Sequence, residues 1–227
     1  MLSLDQLASD PVVHRYGDLF NPPALTNFRG CVGAAVDVTG ITSVSFPPFA
    51  AGETSTAALR INHRHAQSLG ASVRFQWFPD RIERTMSLDD WEFSSTTLVP
   101  MEFNAVVIRV TVTNRAASSR TTDLGWTFQG RITRCASNWS AAVPPSESDN
   151  RSTPEPTLGR IVFTAAHSDA VCIQGVFPIP DRVTAAVATS QVTLAAGESK
   201  VFTLFWVVEE DETKARETYD TLVRQRE

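Results

Sequence analysis

Carboxylates beside an aromatic ring are the first chemistry that the sequence offers. Asp89, Asp90 and Glu92 surround Trp91 in the run LDDWEF, the kind of group that glycoside hydrolysis uses when one carboxyl acts as acid and another as base. Acidic residues are also ordinary turn formers, and neighbouring side chains on a strand point to opposite faces. The stronger reading of the same run is therefore a solvated turn between two strands. His63 and His65 in NHRH are two apart, which would put both rings on one side of a strand and could hold a metal with one more ligand. No third ligand is suggested nearby, so exposed turn histidines are the simpler reading and no metal site is expected. There is no GxSxG elbow, no GxGxxG and no GxxxxGK[ST], so the sequence supports neither nucleophilic catalysis nor phosphate cradling, and no cofactor is expected.

Flat aromatic faces stack on sugar rings, and the five tryptophans separate into two groups. Trp77, Trp126 and Trp206 fall on the apolar phase of their segments and are expected in a core. Trp91 and Trp139 stand beside turns and are the candidate carbohydrate contacts.

The segments that must position these residues are strands. ASVRFQWF alternates Val73, Phe75 and Trp77 with Arg74 and Gln76, and NAVVIRVTVT alternates Val106, Ile108, Val110 and Val112 with Arg109 and Thr111; a period of two marks half-buried strands. A hairpin is expected around Thr39 and Gly40, and an antiparallel meander from about 71 to 133. VFTLFWVV is apolar on both faces and should lie deep. After it, Asp211 can cap a helix on which Ala215, Tyr219, Leu222 and Val223 form one stripe. This stripe is expected to be a domain interface, and if left open it would favour self-association. The fold class expected is all-β, a large two-layer antiparallel sandwich. Its parts are an irregular lead-in at 1–29, a single sandwich at 30–208 with a Pro/Ser-rich surface loop at 141–157, and a helical linker at 209–227.

Bulk properties narrow the function. With 227 residues, of which 42% are hydrophobic, the chain can bury a sizeable core. Its net charge of −5 gives no basic footprint for nucleic acid. No apolar run is long enough for a membrane helix, and the opening MLSLDQLASD has neither the basic nor the apolar region of a signal peptide. Cys31, Cys135 and Cys172 lack metal-ligand spacing and suggest reduced thiols. The expected location is cytoplasmic, or secreted if a leader has been removed.

Taken in order, FQWFPDRIER, the acidic turn DDW, the strand ending VTVTN at Asn114, and VTLAAGESKVFTLFWVVEEDETKARETYDTLV resemble the N-terminal β-sandwich of inverting glycoside hydrolases with an (α/α)6-barrel catalytic domain. The resemblance covers roughly residues 30 to 227. It implies a supersandwich of galactose-mutarotase-like fold whose terminal helix links to a barrel beyond residue 227, with an oligosaccharide as substrate of the full enzyme. The catalytic carboxylates of such enzymes belong to the barrel, so no catalytic residue is assigned here. The function implied is a non-catalytic domain that supports and shapes a sugar-binding cleft. A free-standing carbohydrate-binding module and a jelly-roll-like structural protein are the alternatives.

Overall fold

The structure is a computed structural model that describes residues 12–15, 24–35, 37–135, 142–143 and 149–225. Its frame is a nine-stranded antiparallel sheet in the order Val12–Arg15, Ser72–Trp77, Arg81–Leu88, Trp91–Leu98, Ala105–Asn114, Ser199–Glu209, Ser168–Phe177, Arg160–Ala165 and Asn150–Glu155. A five-stranded sheet (Arg182–Val183, Val187–Leu194, Arg120–Thr127, Ala58–Ile61, Arg64–His65) and a four-stranded sheet (Leu25–Thr26, Cys31–Ala34, Ile41–Phe46, Ala50–Thr56) complete the sandwich.

Strand Ser199–Glu209 organises the core. It lies between Ala105–Asn114 and Ser168–Phe177, and it is apolar on both faces because each face is covered. Phe202, Leu204, Trp206 and Val208 point into the sandwich. There Phe202 meets Trp126 of the five-stranded sheet with ring centroids 5.0 Å apart, and Trp206 meets Phe46 of the four-stranded sheet at 5.5 Å. One strand thus touches both smaller sheets. Phe205 and Val207 point the other way and lie under the helix Glu212–Arg224. Asp211 caps this helix, accepting a hydrogen bond from the Lys214 amide at 2.9 Å.

A buried arginine fastens the layers. Arg84 is fully buried, and its Nη1 donates to the carbonyls of Ala35, Asp37 and Gly40 while Nη2 donates to Thr97 Oγ1 at 2.6 Å. The Asp37 carboxylate beside it accepts from the amides of Thr39, Gly40 and Leu59. Burial pushes the Asp37 carboxyl up, and the Arg84 charge and these amides oppose that.

Several expectations are corrected. The lead-in is not irregular throughout: Val12–Arg15 pairs with Ser72–Phe75, and Leu25–Thr26 pairs with Cys31–Val32. Within the proline-rich loop, Asn150–Glu155 pairs with Arg160–Ala165 as an outer strand of the large sheet. Pro154 fits there because an edge strand has one side on which no amide is needed. The meander ends at Asn114, since Arg120–Thr127 crosses to the five-stranded sheet and pairs with Val187–Leu194. Trp77, expected in the core, is at the end of its strand and 38% exposed, with its indole N–H donating to the Ala24 carbonyl. The hairpin Cys31–Ala34 with Ile41–Phe46 forms as expected.

Candidate functional site

The period-two strands that build the core also build a second surface, the outer face of the nine-stranded sheet. Successive strands bring the polar residues into rungs. One rung runs Arg74, Thr85, Ser94, Thr111 and Val201; the next runs Gln76, Glu83, Thr96, Arg109 and Thr203. Glu83, Thr85, Ser94, Thr96, Arg109 and Thr111 line a shallow open cleft of about 430 Å³. Arg81 holds Glu83 at 2.7 Å and also reaches Asp80 at 3.1 Å, and Arg115 holds Glu92 at 2.7 Å. Arg74 and Arg109 make no ion pair among the described residues. The face therefore offers hydroxyls and guanidinium groups, good donors to the oxygens of a polyol or an anion.

A second cleft, of about 530 Å³, opens where the Asp89-Asp90 turn faces the hairpin turn at Asn62 and His63. Its wall is apolar, from Ile61, Leu69, Leu88 and Trp91, and its rim carries Asn62, Arg64, Asp89, Asp90 and Arg120. Asp90 is paired with Arg120 at 3.2 Å, and Asn62 Oδ1 accepts from the Asp123 amide at 3.1 Å. Trp91, expected as an exposed sugar contact, is only 8% exposed and packs in the core cluster. It forms part of the apolar wall of this cleft and not an exposed platform. Trp139, the other expected contact, lies outside the described residues. His63 and His65 are exposed, and His63 Nε2 lies 3.6 Å from Asp123.

The helix stripe is placed differently from the expectation. Ala215, Tyr219 and Leu222 are buried, and with half-buried Val223 they pack on Val162, Val171, Ile173, Phe205 and Val207 of this chain's own sheet. An amphipathic helix buries its apolar side on the nearest apolar surface, and here the outward residues of strand Ser199–Glu209 supply it. A lattice of charges locks the docking: Glu155 accepts from Arg160 Nε at 2.6 Å and from Arg216 Nη2 at 2.7 Å, and Arg160 also bonds Asp220 at 2.9 Å. The two arginines hold the Glu155 carboxyl down at about 2, against its burial.

Comparison with solved structures identifies this architecture. A putative aldose 1-epimerase from Escherichia coli K12 superposes with a TM-score of 0.55 at 9% identity, over 88% of this chain and 100% of that one. A putative kojibiose phosphorylase from the human microbiome gives 0.53 at 9% identity, over 95% of this chain and 37% of that one. The chain has the galactose-mutarotase-like supersandwich fold. A bacterial glucoamylase crystallised with acarbose gives 0.51 at 9% identity, with this supersandwich spanning 38% of its length and 94% of the present chain aligned. At that identity the likeness establishes the fold alone. No protein-family model matches the chain, and no curated protein matches it by sequence.

Glu83, Arg74 and Arg109 were not singled out by sequence reasoning. Alternation at 73–77 and 105–114 assigns the two arginines to an outward face, but only strand order shows that they share a surface with Glu83 and a row of hydroxyls.

Proposed function

We propose that this chain is a non-catalytic supersandwich domain of a glycoside-active enzyme, with its open polar face contributing to the region where sugar is held. The observation that carries the reading is the extent of the superpositions. The two larger enzymes take in 95% and 94% of this chain, against 88% for the shorter epimerase-like protein. In this reading the helix Glu212–Arg224, already fixed to the sheet through Glu155 and Arg216, is a rigid exit toward a catalytic domain. The make-up of the polar face also supports it. Acid-base chemistry on an anomeric centre uses a proton acceptor and a proton donor placed together. Here Glu83 is engaged by Arg81, and the neighbouring groups are hydroxyls and arginines.

One observation favours a second reading, that of a self-sufficient aldose epimerase: the chain spans the full length of the epimerase-like protein. The experiment that separates the two is to incubate the purified chain with aldoses and with α- and β-linked oligosaccharides, following anomer ratio and released sugar. The proposal expects no turnover. Catalysed anomer exchange would replace it with the second reading.

A further inference from the structure

We infer that the polar face of the nine-stranded sheet is selective for an anionic saccharide, a short oligosaccharide or sugar bearing carboxylate or phosphate groups, held between Arg74 and Arg109. The inference rests on the reading of this face as sugar-contacting and adds the charge of the ligand.

The arrangement of charge across the rungs is the basis. A sheet face that serves only to meet solvent gains stability by setting opposite charges directly across neighbouring strands. This face does not. Thr96 stands between Glu83 and Arg109 on one rung, so the carboxylate and the guanidinium are two strands apart. Arg74 is opposite Thr85, and Arg109 has Thr96 on one side and Thr203 on the other. The carboxylates nearby have their own partners: Glu83 has Arg81 and Glu92 has Arg115. In a chain of net charge −5, the charges on these two rungs that have no ion pair among the described residues are Arg74 and Arg109.

Spacing supports a ligand that extends over several sugar units. Arg74 and Arg109 are on the first and fourth of four successive strands and one rung apart, about 14 Å across the strands and about 7 Å along them, which is roughly 16 Å in all. Thr85, Ser94, Thr96 and the Arg81-bound Glu83 are on the two strands between them and Thr111 is beside Arg109 on its own strand, with the 430 Å³ cleft over this row. Hydroxyls that donate and accept suit the neutral part of a saccharide, and a planar guanidinium suits a carboxylate or phosphate.

Calorimetric titration of the intact chain tests the inference, using trigalacturonate, glucose 6-phosphate, maltotriose and inorganic phosphate at low and high salt. Trigalacturonate or glucose 6-phosphate should bind at least tenfold tighter than maltotriose, and the preference should shrink as salt screens the exposed charges. Whichever of the two binds tighter names the anionic group. The double variant Arg74→Gln, Arg109→Gln should lose the preference while keeping the thermal midpoint of the parent, because both side chains are exposed. Equal binding of maltotriose, or a preference unchanged in the double variant, overturns the inference while leaving the sugar-contacting reading in place. Phosphate alone binding as well as glucose 6-phosphate, with no trigalacturonate bound, overturns it as an adventitious ion only. Absence of binding by every ligand overturns both.

Discussion

Arg84 ties the nine-stranded sheet to the turn at the end of Cys31–Ala34. It is buried within an apolar sandwich, and its Nη1 and Nη2 reach the carbonyls of Ala35, Asp37 and Gly40 and the hydroxyl of Thr97. Arg84→Met would fit the space but would leave three carbonyls and the Asp37 carboxylate without their cation. Removing one member of a buried charge set costs about 3 to 5 kcal/mol, and urea unfolding should show a loss of that size. Trp91 provides a contrast. Because it is core and not platform, Trp91→Ala should lower stability by about 3 to 5 kcal/mol and leave any oligosaccharide affinity of the folded chain unchanged; an affinity loss without a stability loss would reinstate the stacking role. Neither result was legible from sequence. Arg84 occupies an apolar phase in RIERTMS, which composition alone treats as a solvent position, and Trp91 beside a turn reads as exposed until the facing hairpin is placed.

At the scale of elements, the helix Glu212–Arg224 is the main revision. Its cap, its extent and its apolar stripe are readable from spacing. What covers the stripe is not, because that depends on which face of strand Ser199–Glu209 lacks a cover. A glycine makes the close fit possible: a Cβ at Gly175 would collide with the Tyr219 hydroxyl. Gly175→Ala should therefore loosen the helix, seen as faster proteolytic cutting after residue 209 with the sandwich intact. Glu155 adds a pH dependence. Its folded value is depressed from 4.5 to about 2, so in the folded state it stays ionised where the unfolded chain takes up a proton. The stability it contributes is complete above about pH 5 and is lost as pH falls from there through about 2. Glu155→Gln should cost about 2 kcal/mol near neutrality, allowing for partial exposure, with the difference from wild type vanishing at the acid end of a pH series of denaturation curves. A constant difference across that range would show that the charge is not what holds the helix. Strand Asn150–Glu155 was hidden for a related reason: proline argues against a paired strand, and only an edge position removes the objection.

Over the whole molecule, the sandwich and the depth of its last strand follow from alternation, from turn residues and from a run that is apolar on both faces. The division of one face between two smaller sheets does not, because it requires knowing that Arg120–Thr127 leaves the meander. The outer face is equally invisible until strands are ordered, since its rungs draw residues from five segments. This face is where the two functional readings part. Polarimetry on a freshly dissolved pure anomer, of glucose and of galactose, separates them most directly. With the chain added, relaxation to the anomeric equilibrium should keep the rate measured in buffer alone, as a non-catalytic support domain requires. An acceleration proportional to protein concentration and abolished by Glu83→Gln would contradict the account and make the polar face an active site.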